Sequence, residues 1–424
     1  MLDADMEIAE LIKDMAIKAR RASRIMAAVS PGAKNDFLLA LGRALMDNTD
    51  ALIAANRRDL DEARKNGLDA PRLDRLTLTP AIIGEMANAC REVAATPDPV
   101  GAMETQWQRP NGMLVGKSRV PLGVIAMIYE ARPNVTIDAA ILCIKAGDAV
   151  ILRGGREALS SNLELAALLR ETLAASGLPE DAAQLVPVTS REAVICLSRL
   201  DELIDLVIPR GGEKLVRAVC EAATVPVLKH YRGVCHAYID KDADQEKALD
   251  IVENSKTQRP GVCNALECLL VNEEIAGTFL PRLAERLAKS GTRFKADPKA
   301  LPLLGKNAEP LGPDDLGREF HDLILAVKIV PDLDSALAHI DRYGSRHTDV
   351  ICTENYARAM RFVREADASM VGVNVSTRFN DGGQLGLGAE IGISTSKLHA
   401  YGPMGVKELT TTKFVVLGNG QIRS

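Results

Sequence analysis

The sequence predicts an α/β protein built on parallel sheets covered by helices. From residue 120 onward, short runs rich in Val, Ile and Leu alternate with amphipathic helical stretches. That alternation is the pattern of buried parallel strands joined by helices. It comes in two sets, the second opening near Ala265, and a length of 424 residues suits two or three domains.

The first hundred residues read as helices over 6–29, 36–65 and 80–95, with apolar positions at three- and four-residue spacing. Asn66-Gly67 is a stop signal for the second, and Thr79-Pro80 is a cap and first turn for the third. Residues 107–115 carry Asn111-Gly112 between alternating stretches, the mark of a hairpin. The first alternating set places strands over 124–129, 149–152, 204–208, 225–228 and 236–239, and helices over 136–145, 160–175, 191–199, 213–223 and 244–255. The second places strands over 265–271, 323–330, 348–353 and 370–375, and helices over 275–290, 333–343 and 356–365. Residues 297–315 are Pro-rich and read as loop, 382–392 are Gly-rich, and 409–417 read as a strand.

Composition excludes several classes. A net charge of -5 with 3% aromatics offers neither basic patch nor stacking surface for nucleic acid. No apolar run reaches the roughly 18 residues of a membrane span, and the start, Met1-Leu2-Asp3-Ala4-Asp5-Met6-Glu7, has no basic signal region. A cytoplasmic protein without membrane or nucleic-acid partners is expected. The eight Cys form no CxxC pair, which suits a reducing compartment. The six His are scattered and no HExxH occurs, so no metal site is expected.

Cys263 is the candidate nucleophile. It follows Gln258-Arg259-Pro260-Gly261-Val262, where Pro and Gly force a turn between a helix and a buried strand. Lys256 and Arg259 are near in sequence and favour the thiolate, the reactive form. The competing reading is a small buried hydrophobe, which Cys143, Cys196, Cys220 and Cys268 are by default. Cys235 and His236 are neighbours on a strand and point to opposite faces, so they do not form a dyad. Two strand-to-helix turns, Arg153-Gly154-Gly155-Arg156 and Pro209-Arg210-Gly211-Gly212, bring bare backbone and arginine charge to helix N-termini. They suit a phosphate-bearing ligand, and equally suit plain turns. No GxGxxG in strand–turn–helix context is present.

Five stretches together carry a resemblance. They are Ile128-Tyr129-Glu130-Ala131-Arg132-Pro133-Asn134-Val135-Thr136, Leu152-Arg153-Gly154-Gly155, Val207-Ile208-Pro209-Arg210-Gly211-Gly212, Thr257-Gln258-Arg259-Pro260-Gly261-Val262-Cys263-Asn264-Ala265, and Asn374-Val375-Ser376-Thr377-Arg378-Phe379-Asn380-Asp381-Gly382-Gly383-Gln384. Over nearly the whole chain the sequence resembles the gamma-glutamyl phosphate reductases (glutamate-5-semialdehyde dehydrogenases) of the aldehyde dehydrogenase superfamily.

The resemblance implies an aldehyde dehydrogenase-like fold: two Rossmann-like three-layer α/β domains plus an oligomerisation element made of a β-hairpin and a C-terminal strand. It implies an NADP-binding domain over 1–101 and 122–257, a catalytic domain over 258–385, and the oligomerisation element over 102–121 and 400–424. The implied activity is NADPH-dependent reduction of L-glutamyl 5-phosphate to glutamate 5-semialdehyde with release of phosphate, the second step of proline synthesis, through a Cys263 thioester. Asn134 is the implied amide donor to the carbonyl oxygen, or else a helix cap. Arg153, Gly154, Gly155, Pro209, Arg210, Gly211 and Gly212 are the implied cofactor residues. Glu319 is implied to hold the nicotinamide ribose, or is a surface carboxylate. Arg378 is implied to read the substrate carboxylate with help from Ser376 and Thr377, or caps carbonyls. Relatives that oxidise aldehydes carry a carboxylate base in a Glu-Leu-Gly-Gly-like segment. The matching stretch here, Leu228-Lys229-His230-Tyr231-Arg232-Gly233-Val234-Cys235, holds none, leaving His230 as its candidate base. A homo-oligomer, dimer or tetramer, is expected, with a separate glutamate 5-kinase supplying the substrate. The alternatives are a relative that uses a CoA thioester or free aldehyde, and an inactive nucleotide-binding or scaffolding protein.

Overall fold

The computed structural model describes residues 2–423; Met1 and Ser424, the ends of two expected ranges, lie outside them. The chain divides into two compact units: Met1–Lys229 with Gly386–Gly392 and Met404–Ser424, and His230–Leu385 with Ile393–Pro403.

The first unit opens with helices α1 (Leu2–Met26), α2 (Pro31–Asp47), α3 (Thr49–Lys65), α4 (Ala70–Leu76) and α5 (Pro80–Ala95). The helix expected over 36–65 is two helices. Asn48 leaves helical geometry, and its amide donates to the Ala44 carbonyl while Thr49 Oγ1 donates to that of Met46. Those bonds close the last turn of α2. The α5 helix starts where expected, with Ile82 N donating to Thr79 Oγ1 at 3.2 Å. The α4 helix was not legible as a periodic run because it is only 7 residues long; Asp69 caps it by accepting from Arg72 N.

Next come the hairpin strands β1 (Met103–Gln108) and β2 (Leu114–Pro121), turned at Gly112 with φ 86°. Then follow β3 (Val124–Tyr129), α6 (Asn134–Ala146), β4 (Ala149–Arg153), α7 (Leu159–Ala175), β5 (Ala183–Leu185), α8 (Arg191–Arg199), β6 (Leu206–Arg210) and α9 (Glu213–Ala222). These strands form a parallel sheet in the order β5-β4-β3-β6. The winding reverses at β3, so a crevice opens outside the carboxyl ends of β3 and β6, where such sheets take ligands. The strand expected over 225–228 reduces to one bridge between Val227 and Val207. Pro226 has no N–H to extend the ladder and only accepts from Val207 N.

The second unit contains β7 (Cys235–Ile239), α10 (Gln245–Thr257), β8 (Leu266–Asn272), α11 (Glu273–Ala288), β9 (Arg293–Ala296), β10 (Ala308–Pro310), β11 (Ile324–Val330), α12 (Leu333–Tyr343), β12 (Thr348–Cys352), α13 (Tyr356–Glu365) and β13 (Met370–Val373). Its seven strands are parallel in the order β10-β9-β11-β8-β7-β12-β13. One face packs Leu249, Val252, Phe279 and Leu283 of α10 and α11; the other packs Leu333, Ala336, Ile340 and Phe362 of α12 and α13. The strand β7 pairs with β8 and β12, so packing puts the boundary between Lys229 and His230, not after Thr257. The loop expected over 297–315 carries β10, which adds to the sheet edge beside β9.

After β14 (Gly392–Ser394) and β15 (Gly402–Met404), the tail strand β16 (Thr410–Leu417) pairs antiparallel with β2 from Thr410↔Pro121 to Leu417↔Leu114. The resulting sheet, β1-β2-β16, places Trp107 edge-to-face on Phe414 at 6.4 Å.

One tertiary cap fixes the start of α7, just after the Gly154-Gly155 turn. The buried Asp59 carboxylate of α3 accepts from Ser160 N, Ser161 N and Ser161 Oγ at 2.9, 2.7 and 2.6 Å. A carboxylate on a helix N-terminus satisfies donors that have no partner in the helix. Asp59→Ala is therefore expected to destabilise the chain by about 2–3 kcal/mol, with Asp59→Asn intermediate, as read from midpoint shifts in chemical denaturation.

Candidate functional site

Cys263 lies half-buried on the loop between α10 and β8. The loop is held from two sides. From one side comes the segment entering β7: Cys235 Sγ donates to the Cys263 carbonyl at 3.2 Å. A Cβ on Gly233 would meet that same carbonyl oxygen at 2.1 Å, so only glycine lets the two backbones approach this closely. From the other side comes the turn after β13. Thr377 Oγ1 donates to the Asn264 carbonyl at 2.7 Å, and Asn264 Nδ2 donates to the Asn380 carbonyl at 2.9 Å. Ser376 Oγ pairs with Ser255 Oγ of α10 at 2.9 Å. Ser376 and Thr377 are both buried, and their hydroxyls are bonded to Ser255 and to the Asn264 carbonyl.

Arg378 follows on this turn, with its Nε donating to Gln258 Oε1 at 2.7 Å. Burial pulls its pKa below the ordinary guanidinium range, and the charges of Asp381 and Cys263 oppose the shift. Arg378 and Cys263 thus share one electrostatic neighbourhood. Lys256 does not supply the thiol with free charge as expected. It is buried, and its ammonium binds Glu267 Oε2 at 2.8 Å. Burial lowers the Lys256 pKa and raises that of Glu267 to about 7. The other Glu267 oxygen accepts from His321 N at 3.3 Å, beside Glu319, whose Oε2 lies 3.7 Å from His321 Nε2. Cys235 and His236 face opposite ways, as expected. Cys235 turns to Cys263 and to His347 Nδ1 at 3.7 Å, while the His236 ring stacks edge-on to His339 at 5.5 Å. The His230 ring lies 5.9 Å from that of His347, whose pKa is pushed down to about 3 by burial and by His230.

In the first unit, seven of the expected cofactor residues lie at the carboxyl ends of strands, Arg153–Gly155 at the end of β4 and Pro209–Gly212 at the end of β6, with Asn134, the expected amide donor, after β3; Glu319 lies in the second unit. A Cβ on Gly154 would meet the buried Asn162 amide at 2.1 Å. Gly212 caps α9 without a side chain, and its N–H donates to Glu130 Oε2 at 2.9 Å. Glu157 Oε1 accepts from Ala131 N at 2.7 Å. The Arg153 guanidinium donates to the carbonyls of Gly154, Thr189 and Ser190, while its Nε stays buried without a partner. Asn134 opens α6 and donates to Asp138 Oδ2 at 2.9 Å. Both line a small cavity with Arg132, Arg210, Glu390 and Ile391.

The sequence matches the aldehyde dehydrogenase family over residues 5–307. A gamma-glutamyl phosphate reductase of Solidesulfovibrio magneticus is 66% identical over 420 residues, covering 99% of each chain. The chain belongs to the gamma-glutamyl phosphate reductase family. It is therefore an oxidoreductase with the aldehyde dehydrogenase-like fold. The crystal structure of a gamma-glutamyl phosphate reductase from Thermotoga maritima superposes with a TM-score of 0.94 at 43% identity, covering 97% of this chain and 100% of that one. An engineered glycolyl-CoA reductase with bound NADP+ shares the fold with a TM-score of 0.69 at 18% identity, covering 96% of each chain.

Gly233, Asn264, Asn380 and Gln258 were missed as site residues by reading the sequence. Only the Gly233 signal was available, as a lone glycine before a strand. Gly233→Ala is expected to move the Cys263 loop and cut reductase kcat/KM by about 100-fold, the scale of an ångström misplacement, with the folded circular dichroism signal retained. Asp138 yields a pH test. Burial raises its pKa from 3.8 to about 6, against the favourable Asn134 bond. A carboxyl raised in the folded state costs stability once it ionises, so the cost appears as pH rises from about 4 through 6. The stability of Asp138→Asn relative to the parent chain is expected to increase over that window, measured by denaturation midpoints at pH 4.5 and 7.5.

Proposed function

We propose that this chain reduces L-glutamyl 5-phosphate to glutamate 5-semialdehyde with NADPH and releases phosphate, with Cys263 as nucleophile. The observation that carries this reading is the half-buried Cys263 thiol on a loop clamped by Gly233, Thr377 and Asn264, with Arg378 in its electrostatic neighbourhood. The thiolate adds to the acyl carbon, the carbon–oxygen bond to phosphate breaks, and the electron pair leaves on phosphate. The acyl group is then held on sulfur as a thioester. Negative charge on the carbonyl oxygen is met by the Cys263 backbone N–H and the Asn134 amide, whose Nδ2 has a second hydrogen beyond the one given to Asp138. Arg378 pairs with the substrate carboxylate, while Ser376 and Thr377 position its turn.

The residues at the strand ends of the first unit fit a dinucleotide. Gly154 follows β4, Gly212 opens α9 after β6 without a side-chain cap, and β4 and β6 flank β3, where the winding reverses. Arg153 and the exposed Arg156 would bring charge to the extra phosphate of NADP, and Glu319 would hold the nicotinamide ribose. The fold relative with bound NADP+ supports this cofactor class. When bound, the reduced nicotinamide supplies hydride to the thioester carbon. Cys263 then leaves as thiolate when the thiohemiacetal collapses and frees the aldehyde. The segment 228–235 offers no carboxylate to activate water, and this protects the thioester from hydrolysis.

The first unit, with α10 and β7 excluded, takes the cofactor role, and the second takes the catalytic one. The sheet β1-β2-β16 exposes Met103, Trp107, Phe414 and Val416, which supports its role in a homo-oligomer. A glutamate 5-kinase supplies the substrate, and the reaction serves proline synthesis.

The test runs the reaction backward, following NADP reduction with glutamate semialdehyde. Turnover should require phosphate and vanish in Cys263→Ala, while NADPH binding stays within about 3-fold. Turnover driven by CoA in place of phosphate, or persisting in Cys263→Ala, would refute the reading.

A further inference from the structure

A second cysteine of the catalytic unit sits where the mechanism has no use for it. Cys268 of β8 is the register partner of His236 on β7, and both side chains lie under α12, which carries His339. All three residues are buried: Cys268 is 1% exposed, His236 0% and His339 4%. Their ligand atoms lie within 4.8 Å of one another, with Cys268 Sγ 3.6 Å from His339 Nε2.

The hydrogen bonds around His236 define its tautomer. Its Nδ1 lies 3.2 Å from the Val234 carbonyl, which only accepts, so Nδ1 carries a proton and donates. Burial lowers the pKa of this ring, but Cys268 and Asp349 outweigh it and raise it to about 10; once Nε2 gives up its proton it holds a bare lone pair. It is buried and has no hydrogen-bond partner. A buried acceptor left unpaired costs free energy and asks for a reason. The Asp349 carboxylate, 3.5 Å from the same Nδ1, completes the carboxylate–histidine arrangement that backs metal-bound imidazoles. One Asp349 oxygen is likewise buried without a partner.

We propose that His236 Nε2, Cys268 Sγ and His339 Nε2 form a structural site for one thiophilic d10 cation, Zn(II) or Cu(I), within the core of the catalytic unit. One thiolate and two imidazoles are the donor set these ions select. Bonds of about 2.3 Å to sulfur and about 2.0 Å to nitrogen put ligand atoms roughly 3.5–3.8 Å apart, so the cluster closes with small side-chain shifts. Binding displaces the Cys268 proton. The resulting thiolate and Asp349 together balance a divalent charge. Lys328 is the group that must yield. Its half-buried ammonium lies 3.4 Å from His339 Nδ1, which becomes a donor when Nε2 ligates, so Lys328 turns outward. The site lies on the side of β7 opposite to Cys235 and Cys263, so it braces β7, β8 and α12 without touching the reacting thiol. Scattered His spacing hid it from the sequence, because its three ligands come from three separate elements.

The test uses the full chain produced in separate cultures supplemented with zinc or with copper, then passed through a chelator under anaerobic reduction. We expect about one ion per chain from one of the two cultures, with an X-ray absorption spectrum showing one sulfur and two imidazole nitrogens. Cys268→Ser should lose the ion and Cys263→Ser should keep it. Should Cys268→Ser not fold, the spectrum of the parent chain and of Cys263→Ser decides. Fewer than about 0.1 ions per chain from both cultures would overturn the site, as would a spectrum without sulfur or an ion retained by Cys268→Ser.

Discussion

A side chain is missing where two backbones meet, and the reactive loop depends on that gap. Gly233 lies so close to the Cys263 carbonyl that even a methyl group would stand at 2.1 Å from it. Cys235 Sγ uses the same carbonyl as an acceptor. That bond and the close approach of Gly233 fix the position of the Cys263 carbonyl. Thr377, Asn264 and Asn380 repeat the clamp from the turn after β13. A loop held from both sides presents the Cys263 thiol, the proposed nucleophile, at low conformational cost, because the order is already built into the fold.

Charge is handled with the same economy. Lys256 and Glu267 neutralise each other inside the core, each shifted by burial toward its uncharged form. Breaking such a pair leaves an uncompensated buried charge, so its place is between α10 and the loop bearing Glu319, where rigidity is useful. In the first unit, Glu130 and Glu157 accept from backbone N–H groups at the strand ends, and Arg153 donates to carbonyls of its own turns. These groups hold the βα turns in shape. A side chain at Gly154 would collide with the Asn162 amide, and Gly212 gives its own N–H to Glu130.

The proposed role of Cys263 rests on a local reading of its turn and on a resemblance. A local reading of Gln258-Arg259-Pro260-Gly261-Val262 says only that the thiol sits on a turn. Resemblance across five separated stretches makes it the leading nucleophile. The hydroxyls of Ser376 and Thr377 are bonded to Ser255 and to the Asn264 carbonyl. Their burial could not be read from a sequence in which Ser and Thr are as common on surfaces as in turns.

Periodicity alone determined the two alternating sets, the parallel sheets, the hairpin at Asn111-Gly112 and the helix from Pro80, because apolar spacing and turn residues act locally. Local rules failed where a partner distant in sequence decides. The loss of a strand around Pro226 and the assignment of β7 to the second sheet each follow from which backbone groups find partners. The pairing of Lys256 with Glu267, the cap on α7 from Asp59, and the meeting of His236, Cys268 and His339 are of the same kind. Each joins side chains from different elements, and only the packing of strands against helices brings them within reach.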